Sequence, residues 1–180
     1  MLKEPDLPGS TERALGIDGI VELLRNGRAE ILADWVDRVR DNTAVQKGQT
    51  LSDPLLLDHI PQLYDAIVDR LDANRSREDA EQFAAVHGFT RRLTGYDLIE
   101  TVIELLMFRR AIWAYLTAVE AGVQGAFASM ERIDGMVDRA VISSIRAFLD
   151  PGARLLVRRP LEEGEEEPGA GPESGPSDVA

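Results

Sequence analysis

Residues 101–116 read TVIELLMFRRAIWAYL. Apart from Glu104, Arg109 and Arg110, this stretch is apolar nearly all the way round a helical wheel. A helix of that kind belongs at the centre of a bundle, with neighbours on several sides. The chain holds no apolar run of the roughly 18 residues that a membrane span needs, so the stretch reads as a core helix. Asp97 caps it, with the acid Glu100 three residues on. Glu104 is the lone acid in the apolar part. If buried, it needs a cationic or donor partner, and Arg91, Arg109 and His87 are the candidates.

The rest of the chain follows the same helical period. Leu15, Ile20, Val21, Leu24, Ile31, Trp35 and Val39 fall at helical spacing over 12–41, and Asn26-Gly27 is a candidate break into two helices. In LSDPLLLDH, Asp53 is placed to cap a helix with Pro54 at its first position. Leu56, Ile60, Leu63, Ile67 and Leu71 share one stripe, and Pro61 kinks that helix or splits off a short first turn. A further helix starts at Ser76, where Asp79 completes a resemblance to a capping box, and runs through His87 until Gly95 stops it. The turn at Thr94-Gly95 then brings it antiparallel to the helix after Asp97. The last long helix spans about 128–149, with a wide stripe of Ile133, Met136, Val137, Ala140, Val141, Ser144 and Phe148, and ends at Pro151-Gly152. The expected fold is all-α, a single bundle of five to six helices over 12–150. Residues 1–11 read as a flexible leader.

The chain has 180 residues and a formal charge of −12. Residues 161–180, LEEGEEEPGAGPESGPSDVA, carry seven acids and no base, and 151–180 reads as a disordered acidic tail. The first 160 residues hold all 20 bases and all but seven of the 32 acids, so the folded part is only mildly acidic. Neither part has the basic footprint of a nucleic-acid binder. There are no cysteines, which excludes disulfides, thiol nucleophiles and Cys-type metal sites. The N-terminus, MLKEPDLPGSTER, has no apolar signal core. These features point to a cytoplasmic protein without membrane insertion.

The segment AAVHGFTRRLTGYD holds His87, one of two histidines. A phosphotransfer helix wants a lysine and then a small residue three and four places after its histidine; here those places hold Thr90 and Arg91. A histidine-kinase phosphoacceptor site also fails, with Gly88 and Arg92 where an acid and a proline belong. A second reading, a globin-like sensor that binds haem or a small ligand within the bundle, rests on His59 and His87 lying on separate helices, with His87 as the ligand. His59 is followed by Ile60-Pro61, an awkward place for a ligand. Neither histidine has a partner at a spacing typical of metal sites, so no metal or other cofactor is expected. The reading favoured by the residues is a buried polar network of His87, Arg91, Tyr96, Glu104 and Arg109, which fixes helix register or senses a signal. Trp35 and Trp113 read as core or interface anchors, Arg109-Arg110 as salt-bridging, and Ser143-Ser144 as a packing pair without the base a nucleophile needs. ARLLVRRP at 153–160 is short, with apolar and basic residues suited to lying on a partner or an anionic surface. No nucleophile–base pair or phosphate-binding loop is present, so no enzymatic activity is expected.

Three segments carry a family resemblance: ILADWVDRVR at 31–40, LSDPLLLDHIPQLYDAIVDRL at 51–71, and VHGFTRRLTGYDLIETVIELLMFRRAI at 86–112. The third is the most specific, with His-Gly, a following Arg, Gly-Tyr, and Glu104 five residues before Arg109. Over about 15–150 the chain resembles the N-terminal domain of RsbRD-type RsbT co-antagonists, which also heads many bacterial sensor histidine kinases. The resemblance implies a cytoplasmic, non-enzymatic signalling input domain of the stress-response or two-component type. In such proteins it precedes a STAS or kinase module. No phosphoacceptor helix, ATP lid or STAS segment is seen here. The chain is therefore expected to act through protein–protein contacts, with a kinase or STAS-type partner, or to be part of a longer signalling protein. The broad stripe of the last helix suggests a homodimer through that helix.

Overall fold

A computed structural model describes residues 16–72, 80–119 and 123–150. The described residues form six α-helices and no strand: α1 (Ile17–Asp41), α2 (Asp53–Leu57), α3 (Ile60–Leu71), α4 (Ala80–Leu93), α5 (Leu98–Ala118) and α6 (Val123–Leu149). The protein is an all-α bundle. The expected leader, the acidic tail and the Ser76–Asp79 helix start lie outside the described residues.

The five long helices close into a ring in the order α1, α5, α6, α4, α3. Side-chain contacts fix their directions. Trp35 on α1 meets Glu104 on α5, and Gly27 meets Tyr115, so these two helices are antiparallel. Arg109 and Trp113 on α5 meet Asp138 and Asp134 on α6, again antiparallel. On α1 and α3, Arg28 holds Asp65 through two bonds of 2.6 and 2.8 Å while Arg25 holds Asp69, a third antiparallel pair. In contrast, Glu81 on α4 meets Ser143 on α6 and Arg92 meets Phe148, so α4 and α6 run parallel. The core is mostly apolar. It includes Ile20, Leu24, Ile31, Trp35, Leu63, Tyr64, Ile67, Phe108, Ile112, Ile133 and Val137, all almost fully buried.

Local chemistry explains the helix ends. Asp97 accepts from Glu100 N at 2.7 Å while the Glu100 carboxylate accepts from Asp97 N at 3.0 Å, the reciprocal capping box expected from the sequence. The α4 C-terminus closes in a Schellman turn: Tyr96 N donates to Arg91 O, Gly95 N donates to Arg92 O, and Gly95 takes φ of +83°. Pro61 stands in the first turn of α3 and produces a split after Leu57, with His59 as the α3 N-cap.

Four expectations change. Asn26-Gly27 does not break α1, which is continuous through both residues. A Cβ at Gly27 would stand 2.1 Å from Tyr115 Cζ, so the missing side chain admits a ring from α5. Ser52, not Asp53, occupies the α2 N-cap, and the Asp53 carboxylate instead accepts from Arg40 Nη2 at 2.7 Å. The turn at Thr94-Gly95 does not pack α4 closely along α5, because α4 lies chiefly against α6. Gly88 makes that possible: a Cβ there would stand 2.1 Å from the backbone oxygen of Ser144. Finally, the α6 stripe is not surplus. Ile133, Met136, Val137, Ala140 and Ser144 are buried within the chain.

Candidate functional site

α4 and α5 have little backbone contact, and long charged side chains bridge the space between them. Arg91 and His87 sit one turn apart on the same face of α4. Arg91 Nε donates to Glu104 Oε2 on α5 at 2.6 Å. His87 Nε2 lies 3.3 Å from the same oxygen, an electrostatic contact rather than an aligned hydrogen bond. All three side chains are 0% exposed. The rest of the guanidinium serves α2: Arg91 Nη1 donates to Leu55 O at 3.1 Å and Nη2 to Leu56 O at 2.5 Å. These carbonyls belong to a helix C-terminus, where unsatisfied acceptors favour a cation. The Arg91 guanidinium carbon also lies 4.9 Å from the centre of the Tyr96 ring. One arginine thus ties together α4, α5, α2 and the α4–α5 turn.

The network continues outward. Asp58, at a strained φ of +39°, places Oδ2 3.9 Å from Arg91 Nη1 and Oδ1 3.3 Å from His59 Nε2. The His59 side chain is about one-third exposed. A chain of charged and titratable groups therefore runs His59, Asp58, Arg91, Glu104, His87 from the surface into the core. From the opposite side Trp35 Nε1 donates to the backbone oxygen of Glu104 at 3.0 Å, which fixes α1 on α5 at this level.

Burial holds the His87 imidazole below its ordinary range, and the Arg91 cation pushes the same way against the opposing pull of Glu104. His87 is thus neutral at neutral pH. For Glu104, burial alone would raise the carboxyl. The neighbouring His87 imidazole and the Arg91 cation outweigh it, so the group sits below its ordinary range and stays ionised. Burial, followed by the Glu104 charge, raises the Tyr96 phenol. His87 Nδ1, the Tyr96 hydroxyl, Glu104 Oε1 and Ser144 Oγ are buried without hydrogen-bond partners. These atoms lie in a polar centre inside an otherwise apolar bundle.

Of the five residues singled out from sequence, His87, Arg91, Tyr96 and Glu104 meet here. Arg109 does not: it pairs with Asp138 and lies 3.6 Å from Asp134 on α6. Asp58, His59, Trp35 and the Leu55 and Leu56 carbonyls belong to the centre and were not foreseen in it. The one visible signal was the Asp58-His59 pair following a helix-like LSDPLLL. Glu100 has its own role. Beyond the capping box it accepts from Lys47 N at 3.0 Å and so anchors the 42–52 segment to α5. The His87 ring is fully buried between α4 and α5. Its Nε2 faces the Glu104 carboxylate, and Gly88 beside it is pressed onto the α6 backbone. No group of three or more His, Asp or Glu among the described residues is placed to hold a metal ion. No helix among them is long and apolar enough to cross a membrane.

Residues 29–162 match the family described as the RsbT co-antagonist protein rsbRD N-terminal domain. The chain belongs to that family. The match takes in every element of the polar centre, from Trp35 on α1 to Ser144 on α6. Comparison with the curated proteins and with the solved structures gives no match. The family ties the chain to stress-signalling regulators as an input domain.

Proposed function

We propose that this chain is a non-enzymatic, cytoplasmic input domain that works by protein–protein contact, with the Arg91–Glu104–His87 centre as the element that sets its state. The observation carrying this reading is the single arginine that joins four segments of a domain from a signalling family. Displacing Arg91 would release the α2 carbonyls and the α4–α5 turn together. A local event at the centre is therefore felt at the surface. The two-state element that such regulation requires is the seating of α2 against α4. The partner is a second copy, a STAS-type protein or a kinase. For a second copy, the outward face of α6 is the surface, where Phe127 is 62% and Ile142 49% exposed.

Light scattering and complementation test the reading. Wild type should run as a dimer, and Ile142→Asp as a monomer with an unchanged circular dichroism spectrum. Arg91→Lys keeps the charge but cannot serve Glu104, Leu55 and Leu56 at once. In a host lacking the gene it should fail to restore the stress-responsive transcription that wild type restores, while remaining folded. Full restoration by a folded Arg91→Lys chain would refute the role of the centre.

A further inference from the structure

The end of the bundle that holds α2 also carries three exposed apolar side chains. There α4 and α6 finish and α5 begins. Leu93 in the last turn of α4 is 70% exposed, Ile99 in the first turn of α5 is 69%, and Leu149 at the end of α6 is 61%. Arg92 Nη1 donates to Phe148 O at 2.7 Å, which holds the α4 and α6 ends together. The patch is small. Three side chains expose roughly a few hundred Å² at most, well short of the roughly 800 Å² per partner in a stable protein interface. A short segment suits it better than a second copy.

The chain itself supplies such a segment at that place. Pro151-Gly152 follows Asp150 directly, and this pair ends a helix and permits a sharp reversal. Next comes Ala153-Arg154-Leu155-Leu156-Val157, with three large apolar residues in a row before Arg158. The family match runs to residue 162, well beyond the end of α6, so these residues belong to the matched unit. Five residues extend about 17 Å, enough to cross from the end of α6 to α4 and α5. We propose that residues 153–157 fold back over the end of the bundle and cover Leu93, Ile99 and Leu149. The acidic stretch that follows then starts from the end where Arg91 holds α2.

The absence of native cysteines makes crosslinking direct. In the full-length chain, Leu93→Cys would be paired in turn with Leu155→Cys, Leu156→Cys and Val157→Cys, and the thiols oxidised under mild conditions. Leu93 is an exposed position. Val119→Cys with Leu156→Cys is the control, since Val119 is 39% exposed at the opposite end of α5. The expected result is loss of both free thiols in a monomer for at least one Leu93 pair, and none in the control. A disulfide-linked dimer in place of the monomer would give the patch to a second copy and overturn the proposal. Free thiols in all three pairs would overturn it equally.

Discussion

Replacing Glu104 by alanine tests the centre most directly. The change removes a 2.6 Å charged hydrogen bond and leaves the Arg91 cation with no paired carboxylate inside the bundle. Removing one partner of a buried ion pair costs about 3–5 kcal/mol. Here the lower end applies, because Arg91 keeps the Leu55 and Leu56 carbonyls, the Tyr96 ring, and Asp58 at 3.9 Å. At about 3 kcal/mol, and roughly 3–4 °C per kcal/mol for a domain of this size, the melting temperature should fall by about 10 °C. A double-mutant cycle separates the pair from the cavity. Arg91→Met and Glu104→Met should each destabilise. Together they should cost about 2 kcal/mol less than the sum of the two, but not recover wild-type stability, because the α2 carbonyls lose their donor. Differential scanning calorimetry and urea unfolding supply the numbers. A melting shift below about 2 °C for Glu104→Ala, or no coupling in the cycle, would refute the reasoning.

Other expectations follow from single observations. The folded-state pKa of His87 lies below its unfolded value near 6.5. The unfolded chain therefore binds a proton that the folded chain refuses, and stability is full above that pH and declines as pH falls through it. His87→Gln should flatten the fall in urea midpoint over that window; an unchanged slope would count against the burial of a neutral imidazole. Gly88→Ala forces a methyl onto the Ser144 carbonyl oxygen and should cost about 3 kcal/mol. Adding Ser144→Gly should not rescue it, since the backbone oxygen remains, and rescue on thermal melting would place the clash at the hydroxyl instead. Protein purified from cells supplied with haem precursor should show no Soret band, and a band lost in His87→Ala would reverse that reading.

Much of the architecture was legible because the signals were local. The capping box at Asp97, the stop at Gly95 and the split before Pro61 each depend on residues within a few positions. The lone acid of an apolar helix announced a buried charge, and His87 and Arg91, four apart, were on one face to meet it. Arg109 was misplaced by the same reasoning. It lies five residues from Glu104, about 140° around the helix, and so turns toward α6. Gly27 was misread because a glycine that opens a helix and one that admits a distant ring look alike in sequence. The α6 stripe was legible as apolar, yet nothing local says that a parallel α4, brought close by Gly88, consumes it. Asp58 and the α2 carbonyls joined the centre through contacts more than 30 residues long, which no periodicity records.

The short helix α2 carries a kinetic consequence. Five residues are far too few to hold a helix in water, and the Leu55 and Leu56 carbonyls of α2 are met by a side chain 36 and 35 positions downstream. That donor is in place only once α4 has docked and brought Arg91 to α2. α2 should then be among the last segments to order during folding and among the first to let go. Leu56→Ala should accordingly speed unfolding and leave the folding rate nearly unchanged, a φ-value near zero. A φ-value near one would instead make α2 part of the nucleus on which the bundle assembles.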